Sequence, residues 1–186
     1  MAFRGRFWHF FRPRLTQKAI LAAKIFATWH LVTEYVVTVK GTYGPSMLPT
    51  IELRDDWVLI SKLHRKGRGV EVGDVVSLMH PFLTGEGTIK RVLGMPGDFV
   101  MRDTPGREGE DGGSAGTDEP LIQVPKGHCW VVGDNVGSSR DSRLYGPQPL
   151  GLVKGKVLGK LHVEWGWPRQ WRMELTRFEN PLKPAT

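Results

Sequence analysis

The sequence predicts a mainly β fold, a barrel or sandwich of short strands preceded by one helix. The chain has 186 residues, of which 40% are hydrophobic, so it can bury one compact core and still carry an appendage. After residue 40, short runs rich in β-branched and aromatic residues alternate with Gly, Pro and Asp. Long helical spacing of apolar residues occurs before that point and not after it.

Residues 1–16 are predicted to form a basic leader. This segment holds Arg4, Arg6, Arg12 and Arg14, with aromatic residues between them and no acid. Arginine-rich leaders that lack acids are typical of mitochondrial targeting segments. A solvated basic tail is the alternative interpretation.

Residues 17–40 are predicted to form a membrane-associated or transmembrane helix that begins after an N-cap at Thr16. The apolar stretch 19–39 would be about 31 Å long as a helix, enough to cross a bilayer core. A single span, a helix lying in the membrane interface and a soluble helix packed on the domain all fit the pattern. Five polar residues share one side of this helix: Lys24, Thr28, His30, Glu34 and Thr38.

The body of the chain, residues 41–168, has the composition of a β domain, and residues 169–186 are predicted to form a C-terminal tail. Residues 103–120 are rich in glycine and acids and nearly free of apolar side chains, so we expect a mobile loop there. The predicted strands are 56–61, 73–80, 87–95, 98–102, 121–125, 128–134 and 151–165.

The charge and the cysteine count exclude several classes of function. Seven basic residues and one acid lie in residues 1–40, whereas nineteen basic residues and eighteen acids lie in the rest. Because the surplus lies outside the domain, a nucleic acid is not expected as the main partner. The single Cys129 excludes an intramolecular disulfide, and the six histidines lack close ligand spacing. We therefore expect no metal and no cofactor.

The segment "YGPSMLPTIE" raises the possibility of a nucleophile. Ser46 stands between Pro45 and Pro49, which disfavour a helix interior and stiffen the backbone. Its hydroxyl is either part of a turn or a nucleophile, and a nucleophile needs a base. No G-x-S-x-G elbow surrounds it. The domain offers two kinds of base: Lys90, or one of His64, His80, His128 and His162.

Lys90 lies in the apolar strand "TIKRVLG", on the same face as Thr88 and Val92. Burial against apolar neighbours would lower its pKa. A fall from about 10.4 to near 7 corresponds to about 4.6 kcal/mol, which requires true burial without an adjacent carboxylate. A surface lysine beside Arg91 is the alternative interpretation.

Three strings together resemble the type I signal peptidase family. They are "GPSMLPTI", "GTIKRVLGMPGD" and "VVGDNVGSSRDSRLYGPQPLGLVKGKV", and "GDVV" at 73–76 matches a further short motif. The resemblance covers about residues 41–160. It implies a signal-peptidase-like β fold, a membrane anchor and serine endopeptidase activity from a Ser–Lys dyad.

Within this family the chain is most similar to the mitochondrial inner membrane protease branch, of the subunit 1 type. The endoplasmic reticulum branch has His where Lys90 stands, and the subunit 2 type usually ends its last motif in Asn where Arg143 stands. The tail "EWGWPRQWRM" is slightly similar to subunit 2. A subunit 2 type, a bacterial-type signal peptidase and a non-catalytic scaffold subunit are the alternatives.

The subunit 1 resemblance implies a place in the cell and a set of partners. The catalytic domain would face the intermembrane space from the mitochondrial inner membrane. The partners would be the lipid membrane, a second protease subunit forming a heterodimer, and precursor proteins with cleavable sorting signals.

The resemblance also implies roles for particular residues. Ser46 would be the nucleophile and Lys90 the general base, with Ser139 orienting the lysine. Asp141 and Arg143 would form a structural pair bracing the site through charge-assisted hydrogen bonds. A surface pair that contributes little is the alternative for these two.

The oxyanion hole is only partly assigned by the resemblance. The backbone N–H of Ser46 would be one donor. Many bacterial members have a serine two residues before the nucleophile, where this chain has Gly44. The second donor is therefore unknown, with Thr42, Tyr43 or another backbone N–H as candidates.

A self-cleaving Ser–Lys repressor of related fold is a rival interpretation. Such a protein would need a DNA-binding helix-turn-helix and a cleavable Ala-Gly before the serine. The chain has one predicted helix before the domain, and its Ala115-Gly116 pair follows Ser46. The sequence therefore disfavours this rival.

Overall fold

The structure, a computed structural model, describes residues 8–54, 56–83, 85–102, 121–166, 170–178 and 180–181. The predicted mobile loop at 103–120 and the first seven residues of the predicted leader lie outside these ranges. Two compact units divide the chain, residues 1–37 and residues 38–186.

The first unit contains helix α1, Trp8–Leu31, followed by one wider helical turn, Val32–Val36. The helix therefore begins before residue 17, where the sequence predicted its start, and ends before residue 40. The β-branched run at 36–39 favours extended backbone, and strand β1, Val37–Gly41, begins within it. Described apolar side chains of α1 are exposed: Ile20, Leu21, Ile25, Phe26, Trp29 and Leu31.

The prediction of a membrane span required the apolar stretch 19–39 to form one continuous helix. In the structure it does not, because strand β1 begins at Val37. By length and hydropathy, no helix in the described part of the chain qualifies as a membrane-crossing segment.

The second unit is mainly β, as the sequence predicted. After β1 come β2 (Asp56–Ser61), β3 (Val75–Met79), β4 (Gly87–Gly94), β5 (Phe99–Met101), β6 (Leu121–Gln123) and β7 (His128–Val132). The one-turn helix α2 (Ser142–Tyr145) precedes β8 (Gln148–Pro149), β9 (Val153–Gly166) and β10 (Gln170–Arg177).

The main sheet has the strand order β1-β2-β9-β3-β4-β7-β8, and β10 pairs with β9. Its described pairs from β2 onward are antiparallel, and β5 and β6 form a separate antiparallel pair. Strand β9 is central because residues 153–156 pair with β3 and residues 159–166 pair with β10. This arrangement places β4, which carries Lys90, between β3 and β7.

Each of the seven predicted strands overlaps an observed one, and three strands were not predicted. Strand β1 falls in the segment that the sequence assigned to the helix. Strand β8 is two residues long and ends in proline, so it lacks a strand signal. Strand β10 lies in the predicted tail, where pairing with β9 supplies the hydrogen bonds.

Three buried clusters hold the sheet together. One lies on each side of β3, and the third lies beneath β5 and β6. The first contains Val70, Val76, Leu78, Val92, Cys129, Val131 and Val153. The second contains Met47, Ile51, Val58, Ile60, Val75 and Val157, with Ile89 and Phe178 packed against it. The third contains Val124, Trp130 and Val132, with Val100 and Ile122 packed against it.

Candidate active site

Ser46 is the second residue of a short 3₁₀ turn, Pro45–Met47. Proline suits the first position of such a turn because its missing N–H would have no partner inside the turn. Met47 and Ile51 are both 3% exposed and belong to the second core cluster, so the Ser46 segment is anchored by apolar burial. The Ser46 side chain itself is half-buried.

Lys90 is buried in the middle of β4, with 2% of its surface exposed. Its cross-strand neighbour in β3 is Val76, and Val92 follows on the same face of β4. Burial lowers the pKa of Lys90 from 10.5 to about 8, Arg143 acts in the same direction, and Asp141 and Asp134 oppose the shift. Among the described residues, no carboxylate forms an ion pair with this ammonium group.

Ser46 and Lys90 line the same cavity, whose volume is about 360 Å³. One wall consists of residues 40–44 and another of residues 86–90. Strand β7 pairs with β4 from Arg91 onward, so the cavity lies beside the part of β4 that precedes this pairing. The remaining lining residues include Met47, Ile51, Ile60, Ser77, His80, Leu83, Ser138 and Arg140.

Ser139 lies close to the Ser46 segment, where Gly133 meets both. A β-carbon on Gly133 would overlap the Ser139 side chain and the carbonyl oxygen of Ser46, so only glycine permits this approach. Ser139 is 9% exposed, and its Oγ has no partner at hydrogen-bonding geometry in the described part of the chain. The hydroxyl is nevertheless near enough to Asp141 to help hold the pKa of that carboxyl down.

Asp141 and Arg143 form a buried pair. Arg143 donates from Nε to Asp141 Oδ1 and from Nη2 to Oδ2, both at 2.8 Å, and Nη2 also donates to the carbonyl of Val136 at 2.9 Å. The N–H of Gly133 donates to Asp141 Oδ2 at 3.0 Å. Burial acts to raise the pKa of Asp141, but these hydrogen bonds outweigh it and the pKa is lowered. The pair therefore fastens the segment before α2 to the end of β7.

A second charged pair braces the site and was not singled out in the sequence. Arg91 donates from Nε to Asp134 Oδ1 at 2.9 Å and from Nη2 to Oδ2 at 2.7 Å. Thr50 donates its hydroxyl to the same carboxylate, and the N–H of Asn135 donates to the carbonyl of Ser46 at 3.1 Å. These residues join β4 and the segment after β7 to the Ser46 segment.

The sequence motifs gave a partial indication that Arg91, Thr50 and Asp134 belong to the site. Arg91 follows Lys90 directly, so on a strand it points to the opposite face. Thr50 and Asp134 fall inside the strings that carry the family resemblance. Only the fold shows that the three side chains meet.

The structure separates the candidates for the second oxyanion donor. Thr42 donates both its N–H, at 3.0 Å, and its hydroxyl, at 2.9 Å, to the carbonyl of Asp56. The N–H of Gly44 donates to the carbonyl of Leu53 at 3.2 Å, and its φ of 107° is one that L side chains rarely adopt. Both residues therefore have their donors engaged, although they line the cavity together with Tyr43.

The hydrogen bonds described for the four histidines of the domain go to groups other than the Ser46 hydroxyl. His64 contacts Ser61 Oγ, His128 contacts the carbonyl of Lys126, and His162 contacts Asp56. His80 lines the cavity, but its Nδ1 accepts the N–H groups of Phe82 and Leu83. Within the described ranges, no three His, Cys, Asp or Glu side chains are grouped as a metal site would require.

Three known proteins illustrate what this chain is similar to. A solved signal peptidase I from Enterococcus faecalis V583 is 22% identical, with a TM-score of 0.34, over 46% of this chain and 94% of that one. Mitochondrial inner membrane protease subunit 1 of Schizosaccharomyces pombe is 39% identical over 78% of this chain and 88% of that protein. Subunit 2 of the same protease from Danio rerio is 34% identical over 81% and 72%.

The family described as "Signal peptidase, peptidase S26" matches residues 14–106 and 101–163. These ranges include both walls of the cavity, the Ser46 turn, β4 with Lys90, and the Asp141–Arg143 pair. The chain belongs to the S26 signal peptidase family.

Proposed function

We propose that this chain is a serine endopeptidase of the mitochondrial inner membrane that uses a Ser46–Lys90 dyad to remove sorting or signal peptides from precursor proteins. The observation that carries the proposal is a lysine, 2% exposed, sharing a cavity with the serine. A buried lysine without an adjacent carboxylate is the arrangement that activates a serine hydroxyl when no histidine is in place.

Lys90 serves as the general base in this proposal. With a pKa of about 8, a useful fraction of the lysine is neutral near physiological pH. That fraction is about a tenth at pH 7 and about half at pH 8. An unperturbed lysine would be neutral in only about one molecule in three thousand at pH 7.

The reaction proceeds in two stages. Neutral Lys90 takes the proton of the Ser46 hydroxyl while Ser46 Oγ attacks the scissile carbonyl, and the N–H of Ser46 is one donor to the oxyanion. The ammonium of Lys90 gives its proton to the leaving amine as the C–N bond breaks. Lys90 then takes a proton from the water that hydrolyses the acyl-enzyme, and Ser46 recovers its hydrogen. The role proposed for Ser139 is to orient Lys90, and the Asp141–Arg143 pair braces the segment that carries Ser139 through Gly133 and Val136.

The substrate binds as an extended strand. The cavity lies beside residues 87–90 of β4, before the pairing of β4 with β7 begins. A peptide added there would form backbone hydrogen bonds, and its side chains would enter the cavity alternately. Residues 40–44 would form the other wall of this groove.

The membrane and a second subunit are the proposed partners. The apolar side chains of α1 are exposed in the described structure, as expected of a helix that associates with lipid. Relatives carry the names subunit 1 and subunit 2 of one mitochondrial protease, so a heterodimer at the inner membrane is consistent with both names. The catalytic domain would then face the intermembrane space. A basic leader, residues 1–16, agrees with mitochondrial import.

The test is cleavage of a candidate mitochondrial precursor by the full chain, expressed alone and with a subunit 2 partner. Ser46→Ala and Lys90→Ala should each abolish cleavage, and the double variant should be no worse than either single one, because the two residues act as a unit. Normal cleavage by Lys90→Ala would refute the dyad. If all the variants still supported cleavage and the partner cleaved the precursor without this chain, the chain would instead be a scaffold.

A further inference from the structure

Asp56, the first residue of β2, is a buried carboxylate that the proposed reaction does not use. Only 1% of its surface is exposed. Its Oδ1 lies 2.6 Å from His162 Nδ1, and its Oδ2 lies 3.3 Å from Lys160 Nζ. Both partners belong to β9, where His162 is the direct cross-strand neighbour of Asp56.

The same residue contacts both ends of the segment that carries Ser46. Asp56 Oδ2 accepts the N–H of Glu52 at 2.8 Å. Its backbone carbonyl accepts the N–H of Thr42 at 3.0 Å and the Thr42 hydroxyl at 2.9 Å. Ser46 lies between Thr42 and Glu52, so one residue clamps the segment on both sides of the serine.

The clamp depends on a carboxylate. Burial acts to raise the pKa of Asp56, but hydrogen bonds from the Glu52 N–H, His162 and Lys160 outweigh it, so the pKa lies below its ordinary value. An ionised carboxylate has two oxygens that only accept hydrogen bonds, and here donors approach both. An asparagine could satisfy one of these sides and would turn its own N–H₂ group toward a donor on the other.

We infer that Asp56, held between Lys160 and His162, is a positioning residue that fixes the Ser46 segment for attack. It touches neither substrate nor the reacting atoms, and it acts through the backbone at Thr42 and Glu52. The expected effect on kcat rests on the proposed peptidase function. The clamp itself is a property of the fold, and amide hydrogen exchange measures it separately.

Asp74 provides a matched control within the same chain. It is 2% exposed, its Oδ2 accepts the N–H of Glu71 at 3.0 Å, and its Oδ1 lies 2.8 Å from Lys156 Nζ on β9. It also accepts from Asn180 Nδ2 at 3.1 Å. Asp74 thus repeats the arrangement of Asp56, with a backbone N–H and a β9 lysine, but holds neither end of the Ser46 segment.

The experiment compares Asp56→Asn with Asp74→Asn in the full chain, by amide hydrogen exchange and by steady-state cleavage of a peptide from a processed precursor. Asp56→Asn should lower the exchange protection of the Glu52 amide, because a neutral amide oxygen is a weaker acceptor than a carboxylate, and should lower kcat by about 10- to 100-fold with little change in KM. Asp74→Asn should lower protection at Glu71 and keep kcat within about threefold of wild type.

Two results would overturn the inference. One is normal kcat in a folded Asp56→Asn variant, and the other is an equal loss of kcat in both variants. If wild type shows no peptidase activity, the proposed function fails, and Glu52 exchange still decides whether the clamp exists. Unchanged protection of Glu52 in Asp56→Asn would refute it.

A second pair of variants covers the case in which Asp56→Asn does not fold. His162 is partly exposed, and an asparagine can place its side-chain nitrogen near the position of His162 Nδ1. His162→Ala should lower kcat in the same direction as Asp56→Asn, and His162→Asn should restore most of it. Equal kcat in His162→Ala and wild type would count against the inference.

Discussion

Lys90 and Lys156 face the same residue from opposite sides, and they differ in their partners and in their exposure to solvent. Val76 in β3 pairs with Lys90 in β4 and with Lys156 in β9. Lys156 lies 2.8 Å from Asp74, and 23% of its side chain is exposed. Lys90 is 2% exposed and has no ion pair among the residues that the structure describes.

The two lysines differ in whether a carboxylate contacts them and in how far they are removed from solvent. Desolvation disfavours the charged form of any lysine, and a nearby carboxylate restores it. At Lys156 the carboxylate of Asp74 is in contact. At Lys90, Asp141 and Asp134 act only at longer range, and Asp141 is already bonded to Arg143, so the pKa falls to about 8. The sheet therefore places two lysines in one row, and the one without a contacting carboxylate is the base of the proposed mechanism.

The pH dependence of cleavage is the sharpest test of this difference. In the proposed mechanism the neutral form of Lys90 is the base and protonation at low pH removes it, so kcat/KM should fall as pH drops below about 8. The fall should approach tenfold per pH unit well below the pKa, or about fiftyfold between pH 8 and pH 6. Steady-state cleavage between pH 6 and pH 9.5 measures it. A limb centred near pH 6.5 would point to a histidine instead.

Replacing Lys90 by Met should abolish cleavage and stabilise the fold. The pKa of Lys90 is about 8 in the folded protein and 10.5 ordinarily, so the unfolded chain binds the proton more tightly. The buried ammonium therefore lowers the free energy of unfolding of wild type by about 3 kcal/mol below pH 8, and this loss disappears as pH rises above 10.5. Denaturant unfolding of Lys90→Met and wild type at pH 7 and at high pH measures the difference.

The stabilisation should shrink steadily between pH 8 and pH 10.5. Cys129, whose pKa is raised to about 12 by burial in the folded protein, titrates in that window only in the unfolded chain, and its contribution is the same in both proteins. If Lys90→Met were less stable than wild type at pH 7, the cost of burying the Lys90 ammonium would have to be offset by interactions of that ammonium in the folded protein.

The sequence alone led to Ser46 and Lys90 because both lie in long specific strings, and it led to the β fold because the strands are short and well punctuated. It also predicted that burial would lower the pKa of Lys90. The sequence did not indicate which charged side chains would pair with each other in the fold. Nothing in "GDVV" indicates that Asp74 meets Lys156, which lies 82 positions further along the chain.

The same limit explains the other misassignments. The β-branched run at 36–39 favours extended backbone, but the partner of β1, strand β2, lies further along the chain, and local propensity does not contain it. The Thr50–Asp134–Arg91 network joins three separate strings, so each residue alone resembled an ordinary polar side chain. Gly133 is needed because Ser139 and Ser46 approach it in space, not because of its neighbours in the chain.

Lys156→Met should have the converse effect to Lys90→Met. Removing the ammonium leaves the Asp74 carboxylate buried with hydrogen bonds but no cation, so the free energy of unfolding should fall by about 1–3 kcal/mol. Cleavage by the folded protein should persist, because Lys156 does not line the cavity. The unfolding midpoint in urea and kcat at a temperature well below it test both halves. A large loss of kcat in a folded protein would join Lys156 to the catalytic machinery.

Ser139→Ala should have the smallest effect and separates orientation from stability. The Ser139 Oγ is buried near Asp141, but no described residue meets it at hydrogen-bonding geometry, so its removal should change the free energy of unfolding little, within about 0.5 kcal/mol. If the hydroxyl orients Lys90, kcat should fall by about 10-fold with KM unchanged, because the base loses its alignment while the groove for the peptide stays intact. Gly133→Ala is not a usable control, since its β-carbon would displace both Ser139 and Ser46. Ser138→Ala is the better one, because Ser138 lines the cavity and is exposed. Equal kcat in Ser139→Ala and Ser138→Ala would mean that the burial of Lys90 alone, without an orienting hydroxyl, sets the rate.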